Sequence, residues 1–196
     1  IAHVSCRESV DIIAAAKQQG ARVTAETAPH YLSLTEEAVW NYDTNMKMNP
    51  PLRTRDDVAA VRQGVCDGVL DAIASDHAPH TINEKAVAFE QAAFGVTGLE
   101  TEFSVAVTEL LRPGFIEWMD LLRCMAFNPA RIIGCEAGEL RVGVPGNVVV
   151  ISPDKMWSVT REAFFSKSHN SCFLGTTLYA SIDYTLYGGN VVYNGI

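Results

Sequence analysis

LDAIASDHAPH, residues 70–80, runs a short apolar strand (Leu70 to Ser75) straight into a polar cluster, Asp76-His77-Ala78-Pro79-His80. A strand that ends on ionisable groups rather than on a turn points to a sheet whose strand ends carry chemistry. The same texture occurs twice upstream. Arg22 to Thr27 (RVTAET) alternates as a strand and is closed by Pro29, with His30 next in line, and the opening IAHVS places His3 at a strand end. Helical segments separate them. Ser5-x-x-Glu8 has capping-box spacing, Val10, Ile12, Ile13 and Ala14 form an apolar face, and Gly20 stops the helix. Thr54-x-x-Asp57 starts a second helix with Val58, Val61 and Val65 on one side and Gly68 at its end. Strands alternating with helices over short loops imply a parallel sheet. In such folds the working residues collect at the C-terminal ends of the strands.

Around this frame, Ser33 to Trp40 reads as a short helix, and Asn45 to Arg53 (NMKMNPPLR) as irregular, because consecutive prolines do not sit inside a helix. A polar loop is expected from His80 to about Val96. Helices are expected over 99–112, 117–126 and 129–134, the last with Asn128 as N-cap and Pro129 in its first turn. After Gly138 the texture changes. Val148 to Ile151, Trp157 to Val159, Leu178 to Tyr187 and Asn190 to Tyr193 are rich in β-branched and aromatic residues between turn formers. The expected division is therefore a βα-alternating part, 1–138, and an all-β tail, 139–196. Residues 1–138 are too few to close a (β/α)8 barrel, which takes about 250, so the α/β class expected is the C-terminal half of such a barrel. No internal repeat is visible.

Composition narrows the function. The chain has 196 residues, 48% hydrophobic and 19% charged, which is ordinary globular material. Its net charge of −8 has the wrong sign for a nucleic-acid groove and suits an anionic membrane poorly. No apolar run reaches the roughly 18 residues of a membrane span. The five cysteines form no CxxC pair, which fits a reducing cytoplasm better than a disulfide framework. A small-molecule substrate is the default expectation. The sequence opens in a strand end without an initiator Met, and the expectation is that it is the C-terminal part of a longer protein.

His3, His30 and the Asp76–His80 cluster all stand just past strand ends. Imidazole and carboxylate suit zinc at neutral pH, and a metal with an open position activates water. A competing reading makes Asp76 a helix N-cap at a strand–helix junction, since Asp is a preferred cap.

These residues also carry a resemblance. His3-Val4-Ser5, Thr27-Ala28-Pro29-His30, Asn49-Pro50-Pro51-Leu52-Arg53, Asp76-His77-Ala78-Pro79-His80 and the run from Phe94 to Thr101 (FGVTGLET) stand in the order found in type I dihydroorotases of the amidohydrolase superfamily. Asn128 to Ile132, Pro153 to Val159 and Phe165 to Ser168 extend the match to nearly the whole chain. The resemblance implies a zinc-dependent cyclic amidohydrolase that interconverts L-dihydroorotate and N-carbamoyl-L-aspartate in pyrimidine synthesis. It implies that His3 and His30 ligate the more solvent-facing ion of a binuclear zinc pair. Asp76 is then a ligand of the other ion and the general base. Asn49 and His80 are implied as substrate contacts, with backbone groups near Phe94 and Gly95 completing the pocket. Asn49 can equally be a turn former before proline. His77 reads as a neighbour that orients a ligand, His169 as surface, and Arg53 as either a carboxylate clamp or a solvated helix-start charge.

The family's HxH pair and bridging lysine or aspartate do not occur here, so His3, His30 and Asp76 alone fall short of a competent binuclear site. The tail reads PGNVVV from Pro145 to Val150 where the family often has an acidic strand start. In relatives this tail belongs to a small β-sandwich. A homodimer is expected from the general prevalence of symmetric dimers, and the resemblance further implies association with an aspartate transcarbamoylase. Two other readings stand beside it: a dihydropyrimidinase- or allantoinase-like hydrolase, which would leave His80 without an anionic partner, and a non-catalytic assembly partner that has lost the metals.

Overall fold

The computed structural model describes residues 1–195. Its first half is built on parallel backbone segments. Strand β1 (Glu26–Thr27) pairs in parallel with β2 (Ala72–Ile73), in the register Glu26 with Ala72 and Thr27 with Ile73. Ile1 to Val4 runs beside β1: the Glu26 amide donates to the Ile1 carbonyl (2.9 Å) and the Val4 amide to the Glu26 carbonyl (2.9 Å). Beyond β2, His77 forms a parallel bridge with Val96. The regular strands are much shorter than the spans 22–27 and 70–75 that alternation predicts. The Asp71 carboxylate accepts from the Ala25 amide (2.8 Å) and from Lys17 (2.7 Å), so a side chain serves where the ladder would otherwise extend.

Helices α1 (Arg7–Gln18), α2 (Pro29–Ser33) and α3 (Arg55–Cys66) connect these segments. Helix α3 starts as its sequence predicts. Thr54 and Asp57 form a complete capping box, Val58, Val61 and Val65 are buried, and Gly68 takes a left-handed φ of 69° just after the end. Helix α1 departs from expectation. Its N-cap is Cys6, not Ser5, no side chain caps it, and Ser5 is buried beneath the helix start. Ile12 is exposed, because Val10 and Ile13 already fill the inward stripe and Ile12 is rotated roughly 100° from its neighbour. The span predicted as one helix, 33–40, is split between the end of α2 and a single 3-10 turn, Glu36–Val39. The loop after His80 carries a short helix, α4 (Ile82–Lys85), with its own Thr81–Glu84 capping box.

Helix α5 (Glu102–Ala106) continues as a π-helical turn to Leu111. Helix α6 (Trp118–Leu122) passes through a second π turn, Arg123–Phe127, into α7 (Asn128–Ile133). Asn128 is therefore not a cap: it sits in helical backbone, and its side-chain amide donates to the Asp71 carbonyl at 2.8 Å. Gly134, left-handed at φ 72°, ends the helix.

The remainder is an antiparallel sheet in the order β3 (Val148–Ser158), β4 (Thr177–Tyr187), β5 (Asn190–Asn194). The two strands expected at 148–151 and 157–159 are one, with the register broken between Ser152 and Met156, where Pro153 cannot donate to a ladder. This sheet packs on α5. Ser104 Oγ donates to the Ala180 carbonyl (2.7 Å), Trp157 Nε1 to Ser104 Oγ (3.0 Å), and the Tyr179 amide to Thr108 Oγ1 (3.0 Å). One apolar core runs from Val4, Leu32 and Val61 through Val105 and Leu110 to Phe173 and Leu178. The molecule is thus α/β. Among the described residues no helix is long and apolar enough to cross a membrane, and all five cysteines are free thiols.

Candidate metal and substrate site

His3, His30 and Asp76 lie at the C-terminal ends of the parallel segments, where alternation places working residues. Two of them hold backbone that side-chain-bearing residues seldom adopt: φ is 41° at His3 and 48° at Asp76. Such strain persists only where surrounding structure imposes it, and it gathers at functional sites. Asp76 does not begin a helix. The chain after it is irregular until α4, so the reading of Asp76 as an N-cap falls away.

His30, in the first turn of α2, is 2% exposed. Its Nε2 has no hydrogen-bond partner among the described residues and stands 3.7 Å from Asp76 Oδ2. Burial, reinforced by the nearby His3 imidazole, drives its pKa down to about 3, so the ring is neutral and Nε2 can offer a lone pair. The His3 amide donates to Glu26 Oε1 (2.8 Å), while Glu26 Oε2 is buried without a hydrogen-bond partner among the described residues. Burial raises the Glu26 pKa above the usual carboxylate range. Buried polar atoms normally find partners, so the unpartnered His30 nitrogen singles out this strand end as a candidate site. A neutral imidazole with a free ring nitrogen, a second imidazole and a carboxylate match the donors zinc takes. Among the described residues, however, no three metal-binding side chains close into a cage.

His77 is fixed by the backbone of the FGVTGLET segment. Its Nδ1 accepts from the Gly98 amide (3.1 Å) and the Leu99 amide (3.3 Å), which leaves the proton on Nε2, 3.5 Å from Ser166 Oγ. His80 donates through Nε2 to the Phe94 carbonyl (2.8 Å), and its Nδ1 is 3.8 Å from Glu84 Oε2. Gly95 has φ 111° and its amide donates to the Lys47 carbonyl (2.9 Å). Asn49 and Arg53 are exposed. The Tyr31 hydroxyl, next to His30, donates to the Pro50 carbonyl (2.5 Å) and so draws the NPPLR segment against α2. The structure thus brings together the segments bearing His30, Asn49, Asp76, His80 and Gly95.

Sequence reasoning missed the residues that hold these segments. Asn170, buried in the β-rich part, donates to the carbonyls of Ala78 (3.1 Å) and Gly95 (3.2 Å) and accepts from the His80 amide (3.1 Å). Ser168 Oγ bonds the His80 carbonyl. Lys47 and Lys85 are both buried and hold carbonyls around the same loop. The flanking FSKS motif was visible, but nothing in the sequence tells a buried Asn or Lys from an exposed one. His169, expected at the surface, is half-buried and lies 6.1 Å from the Phe164 ring.

Comparison with known proteins agrees with this geometry. The model of the amidohydrolase family matches residues 2–192. The chain is 47% identical over 193 residues to a protein named dihydroorotase from Caldanaerobacter subterraneus subsp. tengcongensis, covering 98% of this chain and 44% of that one. It is 49% identical to a dihydroorotase from Geobacter metallireducens, covering 98% and 45%. Among solved structures, L-hydantoinase (dihydropyrimidinase) from Arthrobacter aurescens superposes with a TM-score of 0.90 at 26% identity, covering 98% of this chain and 44% of that one. Dihydropyrimidinase from Brevibacillus agri gives 0.90 at 24% identity with the same coverage, a likeness of fold. The chain spans less than half the length of the curated relatives it matches. Family model, relatives and strand-end geometry agree: the chain belongs to the amidohydrolase family.

Proposed function

We propose that this chain forms part of a zinc-dependent dihydroorotase, opening L-dihydroorotate to N-carbamoyl-L-aspartate and closing it again. The observation that carries the reading is the convergence of His30 Nε2 and left-handed Asp76 at 3.7 Å on the ends of parallel segments. The relatives named dihydroorotase, at 47–49% identity, point to the substrate. In this reading residues 1–138 are the C-terminal half of a (β/α)8 barrel and residues 139–196 part of a β-sandwich.

His3, His30 and Asp76 hold metal together with donors from outside this chain. Zinc, when bound, supplies Lewis-acid activation of water and of the amide carbonyl. His30 stays neutral, with Nε2 turned to the site. The Asp76 carboxylate accepts the proton of the water whose oxygen adds to the ring amide carbon. As the carbon–nitrogen bond breaks, Asp76 returns that proton to the leaving nitrogen. The same residues serve cyclisation in the reverse sense. Asn49, His80 and the backbone at Phe94 and Gly95 hold the substrate ring and carboxylate. His80 spends its Nε2–H on the Phe94 carbonyl; its Nδ1 side, where Glu84 already presents a carboxylate, donates to an anion only in the imidazolium form. We place the protein in the cytoplasm, as a homodimer able to associate with aspartate transcarbamoylase.

The test is ring opening of dihydroorotate by the complete protein, with dihydrouracil and allantoin as alternative substrates and a chelator as control. Chelator-sensitive turnover of dihydroorotate supports the reading. Preference for dihydrouracil or allantoin moves the substrate to a neutral ring, and no turnover of any of them makes the protein a non-catalytic relative.

A further inference from the structure

The segment between α4 and Gly95 has no regular structure, yet it ends on Phe94, whose carbonyl orients the His80 ring. It is held by two buried lysines. Lys47 Nζ donates to the carbonyls of Phe89 (2.7 Å) and Glu90 (3.0 Å) and sits over the Phe94 ring, 4.5 Å from its centroid. The Lys47 carbonyl accepts from the Gly95 amide at 2.9 Å. One residue therefore grips the middle of the loop with its side chain and the end of the loop with its backbone. Lys85 closes the mouth: its Nζ donates to the carbonyls of Thr44 (2.8 Å) and Ala93 (2.9 Å), and Thr44 Oγ1 returns a bond to the Lys85 carbonyl (2.7 Å).

Neither ammonium has a carboxylate within ion-pair distance among the described residues; their partners are main-chain carbonyls. Burying an unpaired cation is costly, and a neutral hydrogen-bonding side chain would be the cheaper way to hold a loop. Burial and the proximity of Lys47 bring the Lys85 pKa down to about 8. Asn49 lies two residues beyond Lys47 on a segment pinned by Tyr31, so the tether links the two elements that bear the substrate contacts.

We propose that Lys47 is a positioning residue of the substrate site, fixing loop 86–95 against the Thr44–Asn49 segment so that Phe94 sets the His80 ring for an anionic substrate. This rests on the dihydroorotase reading for the identity of the substrate, but not for the tether. The experiment compares the complete, zinc-loaded protein with its Lys47→Met variant in three respects: KM and kcat for dihydroorotate, zinc content, and amide hydrogen exchange over residues 86–95. The expected result is a KM raised about tenfold, the effect of roughly 1.4 kcal/mol, with kcat within about twofold, zinc unchanged and faster exchange confined to the loop. Lys47→Gln, which keeps an N–H donor without the charge, should fall between the two and serves if Lys47→Met does not fold. Unchanged KM and exchange would overturn the proposal, as would loss of kcat together with zinc. Faster loop exchange in a protein that opens no dihydroorotate would keep the tether and remove the substrate reading.

Discussion

His30 Nε2 and Asp76 Oδ2 stand 3.7 Å apart although the whole of α3 lies between them in the chain. The distance is too long for a hydrogen bond, and His30 is held neutral by burial, so the pair is not a salt bridge in function. The unpartnered His30 nitrogen beside a carboxylate leaves lone pairs open to a further group. Parallel pairing of β1 with β2 produces the juxtaposition, because equal register brings equivalent strand ends to one edge.

Asp76→Asn removes the charge and the proton acceptor while keeping size. In the complete protein we expect kcat to fall on the order of 10³-fold. Steady-state kinetics with metal analysis checks this. Near-normal turnover would overturn the proposal that Asp76 is the base.

Glu102, at the start of α5, has its pKa raised to about 7, chiefly by burial, with a hydrogen bond from Ser75 only partly opposing the shift. In the unfolded chain a glutamate titrates near 4.5. Between those values the folded state binds more protons than the unfolded one. The stabilising contribution is therefore full below about pH 4.5 and is lost as pH rises through about 7. Glu102→Gln, neutral at every pH, should flatten this fall. Urea denaturation at pH 4.5 and pH 8 measures it, and an equal effect of the substitution at both would refute the shift.

The sequence reveals period and punctuation better than it reveals partners. Thr54-x-x-Asp57 forms a real capping box, whereas Ser5-x-x-Glu8, with the same spacing, does not, because Ser5 is buried where the chain leaves the β1 ladder. His30 and Asp76 were recognisable by their place after strands, a local signal. Asn170 was not, since its bonds to Ala78 and Gly95 depend on the β-rich part folding back across the site. Lys47 and Lys85 escape for a related reason: lysine is presumed exposed, and only the packed loop shows carbonyls waiting for it. Strand lengths were overestimated because Asp71 substitutes a carboxylate for ladder bonds, which no alternation pattern records.

Gly95 is needed for its backbone. A Cβ there would lie 2.5 Å from the Ala78 Cβ, and its φ of 111° is one that side chains rarely take. Gly20, at φ 85°, has open space around it. Gly95→Ala should therefore cost about 1–3 kcal/mol of stability and raise KM by displacing the Phe94 carbonyl. Gly20→Ala should cost only its backbone strain, about 1–2 kcal/mol, with KM unchanged. Denaturation midpoints and KM of the two variants, taken together, check the pair. Equal effects would show that the approach to Ala78 is not constraining.

His80 is set apart from His3, His30 and Asp76 by its bonds. Its Nε2 is committed to the Phe94 carbonyl, which orients the ring, while its backbone amide and carbonyl are held by Asn170 and Ser168. A residue held in this way needs no metal for its place, and in its imidazolium form it offers an anion the Nδ1–H. His80→Ala should therefore raise KM for dihydroorotate about tenfold or more, consistent with loss of a hydrogen bond to a charged group, while zinc content stays at the wild-type value. Dihydrouracil, which lacks the carboxylate, should be handled no worse by the variant than by the parent. Loss of zinc on substitution would instead make His80 a ligand. Equal losses for both substrates would place its role at the ring rather than at the carboxylate.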